Sequence, residues 1–196
     1  MITAPSGAGK TSLVQELVRL HDNLSVSVSH TTRPARTGEE DGVNYHFVTK
    51  KRFEHMLSQG DFLEAAEVYG HHYGTSQSWV ENQLQLGNDV ILEIDWQGAE
   101  QVRNLLPDVC SVFILPPSLE ALTERLKVRA QDDYDVIENR MRQAQSVIKH
   151  VMKADFVVVN DDFKIAIHDI SAIIRSQSLN ANSQKASLTD LISSLT

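Results

Sequence analysis

A glycine-rich segment near the start of the chain has the residue types needed to hold the phosphates of a nucleotide. In order, its residues are Ala4, Pro5, Ser6, Gly7, Ala8, Gly9, Lys10 and Thr11. The segment follows the phosphate-loop pattern G-x-x-x-x-G-K-[ST], except that Ala4 stands in place of the first glycine. We expect the backbone N–H groups to bind ATP phosphates, Lys10 to reach the β- and γ-phosphates, and Thr11 to place its hydroxyl on Mg²⁺. A flexible turn before an amphipathic helix is the alternative interpretation.

Two arginines could bind a second, smaller anion. Arg33 and Arg36 lie on either side of Pro34, three residues apart, and guanidinium groups at such a spacing suit a doubly charged phosphate. Taken alone, such a pair is more often solvated loop charge, and the phosphate loop upstream is what favours binding. Asp95 ends an apolar run, which is where parallel sheets place functional groups. Its carboxylate could organise Mg²⁺ or contact a substrate.

Apolar runs alternate with helical patterns along most of the chain. The runs cover 90–94, 109–115 and 156–159, and helical patterns follow them at 98–106, 118–130 and 163–176. Apolar residues at helical spacing also predict a helix over 10–20, directly after the phosphate loop. Strands followed by helices predict an α/β fold of the P-loop NTPase type, in which a parallel sheet has helices on both faces.

The segment from 30 to 75 interrupts this alternation, because it is rich in short strand patterns and polar residues. Val43, Tyr45 and Phe47 alternate with polar residues as in a half-buried strand, and 62–68 predicts a further strand. We therefore expect a small sheet of mixed strands here. The predicted domain, 1–178, consists of a core (1–29, 88–117 and 143–178), an insertion (30–87) and a helical lid (118–142), followed by a tail (179–196). The tail predicts a frayed or loosely docked helix.

Composition and charge limit the classes of partner. The chain has 196 residues, which suits one domain with elaborations, and a net charge of −8. That charge argues against polymeric nucleic acid and anionic membranes as main partners, whereas a local basic cluster could hold a small anion. The single cysteine excludes an intramolecular disulfide, and no apolar run approaches the length of a membrane span. We expect a cytoplasmic protein, and a homo-oligomer stays open.

Several separated blocks together resemble the guanylate kinases, a family of nucleoside monophosphate kinases. The blocks are 4–11, 29–36, 62–64, 73–75, 94–98 and 159–162. One block would be weak evidence, but this ordered set is highly specific and spans residues 4 to about 175. The resemblance implies transfer of the γ-phosphoryl group of ATP to GMP, giving ADP and GDP, with Mg²⁺ as cofactor. It also implies a place in purine nucleotide metabolism and GMP recycling.

The resemblance assigns the insertion to GMP. The residues that it places on the GMP phosphate are Ser29, Arg33, Arg36, Tyr45 and Tyr73, and those on the guanine base are Glu64, Thr75 and Asp95. Guanine presents N1–H and an N2 amino group on one edge, and the Glu64 carboxylate could accept both. Adenine would leave that carboxylate unpaired at a cost of about 1–3 kcal/mol. Thr75 can donate to guanine O6. Without the other blocks, Glu64 would be an ordinary strand carboxylate and both tyrosines packing residues.

Basic residues are concentrated in the predicted lid. The resemblance implies catalytic roles for Arg125, Arg129 and Arg140, which would neutralise charge on the transferred phosphoryl group together with Lys10. Many relatives have a glycine on each side of the middle arginine, where this chain has Val128 and Ala130. A solvated basic helix face is the alternative. Asn160 resembles the adenine-side position of the family, and a turn or helix cap is its alternative.

Two other functions stay open at this stage. A kinase with another acceptor, such as AMP, dTMP or a small sugar, would keep the phosphate loop but would not need Glu64 and Thr75. A catalytically silent guanylate-kinase-like module that binds protein partners would be expected to lose the phosphate loop. This chain keeps Gly7, Gly9 and Lys10, which favours an active ATP:GMP phosphotransferase.

Overall fold

The computed structural model describes residues 1–129, 134–185 and 188–196, without the side chains of 128–129, 134–140 and 182. Its strands are β1 (Ile2–Thr3), β2 (Leu24–Val26), β3 (His30–Thr31), β4 (His46–Phe47), β5 (Phe62–Val68), β6 (His71–Ser76), β7 (Asp89–Ile91), β8 (Val112–Leu115) and β9 (Phe156–Val159). Its helices are α1 (Lys10–Leu20), α2 (Lys50–Gln59), α3 (Gln77–Gln85), α4 (Trp96–Leu105), α5 (Leu119–Arg129), α6 (Tyr134–Ile148), α7 (Phe163–Ser178), α8 (Ala181–Gln184) and α9 (Thr189–Leu195). A 3-10 turn covers Val151–Lys153.

A parallel sheet occupies the centre of the fold. β1, β8 and β9 lie side by side in the order β1-β8-β9, and β2 pairs with β7, all in parallel. Main-chain hydrogen bonds join the two groups, because Ile2 N–H donates to the Leu92 carbonyl at 2.8 Å and Ile94 N–H donates to the Ile2 carbonyl at 3.3 Å. The combined order is therefore β2-β7-β1-β8-β9. The phosphate loop follows the central strand β1.

Helices cover both faces of this sheet, which confirms the predicted α/β fold. Consecutive side chains of a strand point to opposite faces, and Ile91 and Leu92 accordingly belong to separate core clusters. The cluster with Ile91 includes residues of α1 and α7: Leu13, Leu17 and Ile170. The cluster with Leu92 includes residues of α3 and α4: Val80, Ala99 and Val102. Full burial of each large apolar side chain stabilises the fold by about 1.5–3 kcal/mol.

The insertion contains a second, mixed sheet in the order β4-β3-β6-β5. β3 pairs with β4 in parallel, and the other pairs are antiparallel. The strand predicted from Val43 to Phe47 is mostly wrong, since only His46–Phe47 forms a strand. The N–H groups of Val43 and Asn44 donate instead to the Glu40 carbonyl in a turn, and this turn places the Val43 side chain in solvent.

The predicted lid, 118–142, includes α5 and the first part of α6, which continues to Ile148. The two helices pack together through the fully buried side chains of Leu122, Leu126 and Ala144. After α7 the chain forms the short helices α8 and α9, and α9 has no buried residue among those described. None of the described helices combines the length and apolar character needed to cross a membrane. The boundaries that we assigned to core, insertion, lid and tail stay predictions.

Candidate active site

The phosphate loop lies between β1 and α1, and its shape depends on two glycines. Gly7 and Gly9 have φ angles of 89° and 91°, in the left-handed region that other residues rarely adopt. Space is also limited, because a Cβ on Gly7 would lie 2.9 Å from Leu122 Cδ1 and one on Gly9 would overlap the Asn160 amide. No described side chain caps α1, so its first N–H groups are left for an anion.

Lys10 points to the carboxyl ends of the central strands. Its Nζ donates to the Ile94 carbonyl at 2.8 Å. Burial lowers the pKa of this lysine, and the carboxylates of Glu93, Asp95 and Glu64 act in the opposite direction. The ammonium group of Lys10, which these three carboxylates stabilise, could likewise stabilise the negative charge of a phosphate bound beside it.

Glu93 is a site residue that the sequence analysis missed. The Thr11 hydroxyl donates to Glu93 Oε1 at 2.5 Å, so this carboxylate lies directly beside the phosphate loop. The signal was present, because Glu93 is the acidic residue inside the apolar run 90–94. Like Asp95, Glu93 is an acidic side chain at the carboxyl end of a buried strand, where parallel sheets place functional groups.

The insertion brings together most of the residues predicted to bind the GMP phosphate. Arg33 donates through Nη2 to Glu39 Oε1 at 2.9 Å, and its guanidinium group lies 5.3 Å from the centre of the Tyr45 ring. Burial opposes the charge on Arg33, but hydrogen bonds with Glu39 and Tyr73 outweigh it and raise the pKa of the guanidinium. The rings of Tyr45 and Tyr73 pack edge to face at 5.9 Å.

Arg36 and Ser29 complete this group less directly. The main-chain N–H of Arg36 donates to Glu39 Oε2 at 2.8 Å, while the Arg36 side chain is exposed. Ser29 is buried and its carbonyl accepts a hydrogen bond from the His46 N–H. The Glu39 carboxylate, which the sequence analysis also missed, thus contacts the guanidinium group of Arg33 and the main chain of Arg36.

Glu64 is a buried carboxyl group with one partner from the insertion and one neighbour from the core. The Thr75 hydroxyl donates to Glu64 Oε1 at 2.6 Å. On the core side, a Cβ on Gly98 would lie 2.9 Å from Glu64 Cδ, so only glycine lets the carboxyl group approach α4 this closely. Burial raises the pKa of Glu64 to about 7, with a further contribution from Asp95. The single proton of the Thr75 hydroxyl is committed to Glu64 in this arrangement, and its predicted contact with guanine O6 stays a prediction.

Asp95 begins α4 and faces the same space. Its Oδ1 accepts from the Gly98 N–H at 2.9 Å, as a helix N-cap, and its Oδ2 accepts from Gln97 Nε2 at 3.2 Å. Both carboxyl groups predicted to contact guanine therefore lie at the first turn of α4.

Asn160 and Arg125 support the phosphate loop from the side of the predicted lid. The buried Asn160 side chain donates through Nδ2 to the Ala8 carbonyl at 2.7 Å, and Arg125 Nη2 donates to the Asn160 carbonyl at 2.9 Å. Asn160 is not a helix cap, since Asp162 caps α7. Arg125 Nη1 is buried and finds no hydrogen-bond partner among the described residues. The side chains of Arg129 and Arg140 lie outside the described residues.

Glu93 acts on residues of both predicted anion sites. Burial raises the pKa of Tyr45 to about 12, and the next largest contribution comes from the Glu93 carboxylate. Glu93 in turn accepts the hydrogen bond from Thr11. The Glu93 carboxylate therefore contacts the phosphate loop and acts electrostatically on Tyr45. Tyr45 belongs to the set predicted to bind the GMP phosphate, which we call the arginine group: Ser29, Arg33, Arg36, Tyr45 and Tyr73.

Comparison with known proteins identifies the family. The family model described as guanylate kinase matches residues 1–177. The chain belongs to the guanylate kinase family. Proteins named guanylate kinase from Methylobacillus flagellatus and Vibrio cholerae are 54% and 50% identical to it, over the whole chain and 96% and 95% of their own lengths. The crystal structure of guanylate kinase from Anaplasma phagocytophilum aligns with a TM-score of 0.76 at 33% identity, covering 91% of this chain and 85% of that one.

Membership of the guanylate kinase family confirms the predicted activity, a nucleoside monophosphate kinase that phosphorylates GMP using ATP. It also decides against the two other functions considered from the sequence, a kinase with another acceptor and a silent binding module. The roles of individual residues are a separate matter, which depends on the geometry of this site.

Proposed function

We propose that this guanylate kinase transfers the γ-phosphoryl group of ATP to GMP across the cleft beside Glu93, with Mg²⁺ bound near Thr11. The observation that carries the proposal is that one carboxylate, Glu93, contacts the phosphate loop of the core and acts electrostatically on the insertion. Thr11 donates to Glu93, and Glu93 acts electrostatically on Tyr45 of the arginine group. A triphosphate on the loop and a monophosphate on the arginines would then be close enough for direct transfer.

The phosphate loop is the proposed ATP site, formed by residues 4–11 and supported by Asn160. Left-handed glycines and the uncapped start of α1 supply backbone N–H groups for the phosphates. Asn160 is close to this loop through its bond to Ala8, and we assign the adenine side of the site to it. Lys10 would exchange its hydrogen bond with the Ile94 carbonyl for one with a phosphate oxygen.

Hard oxygen donors near the loop fit a magnesium ion. Mg²⁺ is usually held by one or two protein oxygens together with substrate phosphates and waters, and the Thr11 hydroxyl and Glu93 carboxylate provide such a pair at 2.5 Å. When bound, the ion would neutralise charge on the transferred phosphoryl group. The Thr11 hydroxyl and the Glu93 carboxylate would hold the ion, and neither group would have to transfer a proton to the substrates.

The arginine group is the proposed site for the GMP phosphate. Arg33 and Arg36 would bind its oxygens, with Ser29, Tyr45 and Tyr73 as further hydrogen-bond donors. Glu39 would hold the Arg33 guanidinium and the main chain of Arg36 in place before GMP arrives, since it accepts a hydrogen bond from each. The acceptor phosphate is already largely ionised near neutral pH, so no general base is required.

The carboxyl groups at α4 are the proposed site for guanine. Glu64 would accept N1–H and the N2 amino group, and Asp95 lies beside it at the helix start. Thr75 orients Glu64 through their 2.6 Å hydrogen bond. This arrangement would favour GMP over AMP, because adenine cannot satisfy a buried carboxylate with two donors.

Arg125 is the proposed catalytic arginine for which the geometry offers support. Its buried Nη1 lacks a partner among the described residues while Nη2 is bound beside the phosphate loop, so one donor is left for a phosphate oxygen. We assign the same charge-neutralising role to Arg129 and Arg140 by family resemblance.

We further propose that the protein acts in the cytoplasm, in purine nucleotide metabolism. Its substrates would be free nucleotides rather than nucleic acid, and it would be able to form a homo-oligomer.

A coupled assay with ATP and GMP, run with and without Mg²⁺, tests this proposal on the wild type and on Lys10→Ala. We expect turnover of the wild type only with Mg²⁺. The lysine variant should lose at least about 100-fold in kcat, because the developing charge loses its main cation. GMP affinity of the variant, measured without ATP at pH 8, should stay within about threefold of the wild type. Near-normal turnover of Lys10→Ala, or full activity in excess chelator, would overturn the proposed roles.

A further inference from the structure

Two glutamines of α4 bind the free edge of β5, the strand that carries Glu64. β5 is the last strand of the insertion sheet and pairs with β6 on one side only. On its other side, Ala65 N–H donates to Gln101 Oε1 at 3.1 Å, and Gln101 Nε2 donates back to the Ala65 carbonyl at 2.8 Å. Gln97 Nε2 donates to the Glu67 carbonyl at 3.1 Å. Side chains of the helix thus take the place of a neighbouring strand.

The spacing of the two glutamines matches that of the strand. Four residues of α-helix advance about 6 Å along the axis, and two residues of strand advance about 6.8 Å. Gln97 and Gln101 lie on one face of α4, and Glu67 and Ala65 present their carbonyl groups on one edge of β5. The helix and the strand run in opposite directions, so that both bonds form together. We call Gln97 and Gln101 the glutamine pair.

The glutamine pair adjoins the proposed guanine site at two points. Ala65 is the residue after Glu64, so its bonds with Gln101 fix the main chain next to the buried carboxyl group. Gln97 also donates to Asp95 Oδ2 at 3.2 Å, from the same amide nitrogen that binds Glu67. Gly98 lies between the two glutamines in sequence and touches Glu64. The pair therefore links the strand of one carboxyl group to the helix that begins with the other.

We propose that the glutamine pair positions the guanine-binding carboxyl groups, by holding β5 against α4 so that Glu64 and Asp95 keep a fixed separation. The inference rests on the proposed assignment of Glu64 to guanine. Neither glutamine has to touch the nucleotide: both bind main-chain groups of β5, and Gln97 also binds the Asp95 carboxylate. The selectivity for guanine over hypoxanthine should then depend on α4. Both bases have N1–H, but only guanine has the N2 amino group, and that group needs the second oxygen of the Glu64 carboxylate in the correct position.

Gln101→Met tests the proposal, because methionine keeps the length and helix propensity of glutamine but removes both amide hydrogen bonds. Gln101 is exposed, so the substitution leaves no cavity. We expect the Kd for GMP, measured by calorimetry without ATP, to rise about three- to tenfold. The Kd for IMP should rise less, so that the preference for GMP over IMP narrows, while KM for ATP stays unchanged.

Asn104→Leu, an exposed amide lost from the same helix, serves as the matched control and should leave both affinities unchanged. Equal weakening of GMP and IMP by Gln101→Met, or no weakening at all, would overturn the positioning role. Glu64→Gln separates this outcome from a failure of the site assignment. If Glu64→Gln does not narrow the preference for GMP over IMP, the guanine assignment itself is wrong. If Glu64→Gln narrows this preference and Gln101→Met does not, the guanine assignment stands and only the inference about the glutamine pair fails.

Discussion

Glu64 combines deep burial with a proposed role, the binding of guanine, that requires it to carry a charge. Burial raises its pKa to about 7, Asp95 raises it further, and the hydrogen bond from Thr75 works in the opposite direction. A protonated carboxyl would present an O–H to one of two donors on guanine and so lose a hydrogen bond. The ligand-free protein can therefore hold this side chain neutral, and GMP bound as proposed would select the ionised form.

Affinity for GMP should follow the ionisation of Glu64. A carboxyl group with a pKa of about 7 is mostly protonated at pH 6 and mostly ionised at pH 8, so the Kd for GMP should fall about tenfold as pH rises across this range. Glu64→Gln should bind GMP more weakly and show a flatter profile, because its amide does not titrate. The GMP phosphate also ionises in this pH range, but it does so equally for both proteins. The difference between their calorimetric profiles therefore reports the ionisation of Glu64. Parallel profiles for the two proteins would contradict the prediction.

At the scale of elements, α4 organises one side of the site. Its cap is Asp95, its first turn contains the glycine that admits Glu64, and its exposed face includes the glutamine pair. A helix that begins at the carboxyl end of a buried strand places its first turn where ligands bind in parallel α/β folds.

Gly98→Ala tests the close contact between α4 and β5. Alanine favours a helix by about 1 kcal/mol over glycine, so the free energy of unfolding should hold or rise slightly. Its Cβ would meet the Glu64 carboxyl group, with Cδ at 2.9 Å, and Glu64 would have to leave its position. We expect the Kd for GMP to rise at least about tenfold.

Binding calorimetry and thermal unfolding check this prediction, with Asn104→Ala as a control for helix propensity on the same element. A variant that keeps wild-type GMP affinity would show that the carboxyl group does not need this position. Loss of stability together with affinity would indicate a packing role for Gly98 instead.

Much of this arrangement could be predicted from the sequence, and the exceptions have physical reasons. The strand Phe62–Val68 and the helix after the phosphate loop follow from local periodicity, and both were confirmed. The segment around Val43 alternates in the same way but forms a turn, because alternation does not reveal where main-chain hydrogen bonds go. Glu39 was missed although its partners Arg33 and Arg36 are only six and three positions away, because the loop sequence does not show which of its side chains meet. Glu93 was missed because its partner Thr11 is 82 positions away. The glutamine pair was invisible for the same reason.

At the scale of the whole molecule, the site exists because the insertion folds back onto the carboxyl edge of the core sheet. The phosphate loop comes from the core and the arginine group from the insertion. Lys10 belongs to the core and Glu64 to the insertion. Each side chain nevertheless influences the pKa of the other. Electrostatic coupling between the two substrate sites is therefore a property of the folded chain rather than of either part.

Removing the charge of Lys10 should consequently alter GMP binding in a pH-dependent way. Lys10 lowers the pKa of Glu64, so Lys10→Ala should raise that pKa and move the midpoint of the GMP affinity profile to higher pH. At pH 8 the loss of affinity stays small, and it should grow as pH falls toward 6, because the variant then has to ionise a more basic carboxyl group. Calorimetric titration of GMP across this range, without ATP, measures the midpoint directly. Lys127→Ala, which removes an exposed lysine paired with Glu124, should leave the midpoint where it is in the wild type. An unchanged midpoint in Lys10→Ala would mean that the phosphate loop and the guanine site do not share one electrostatic environment.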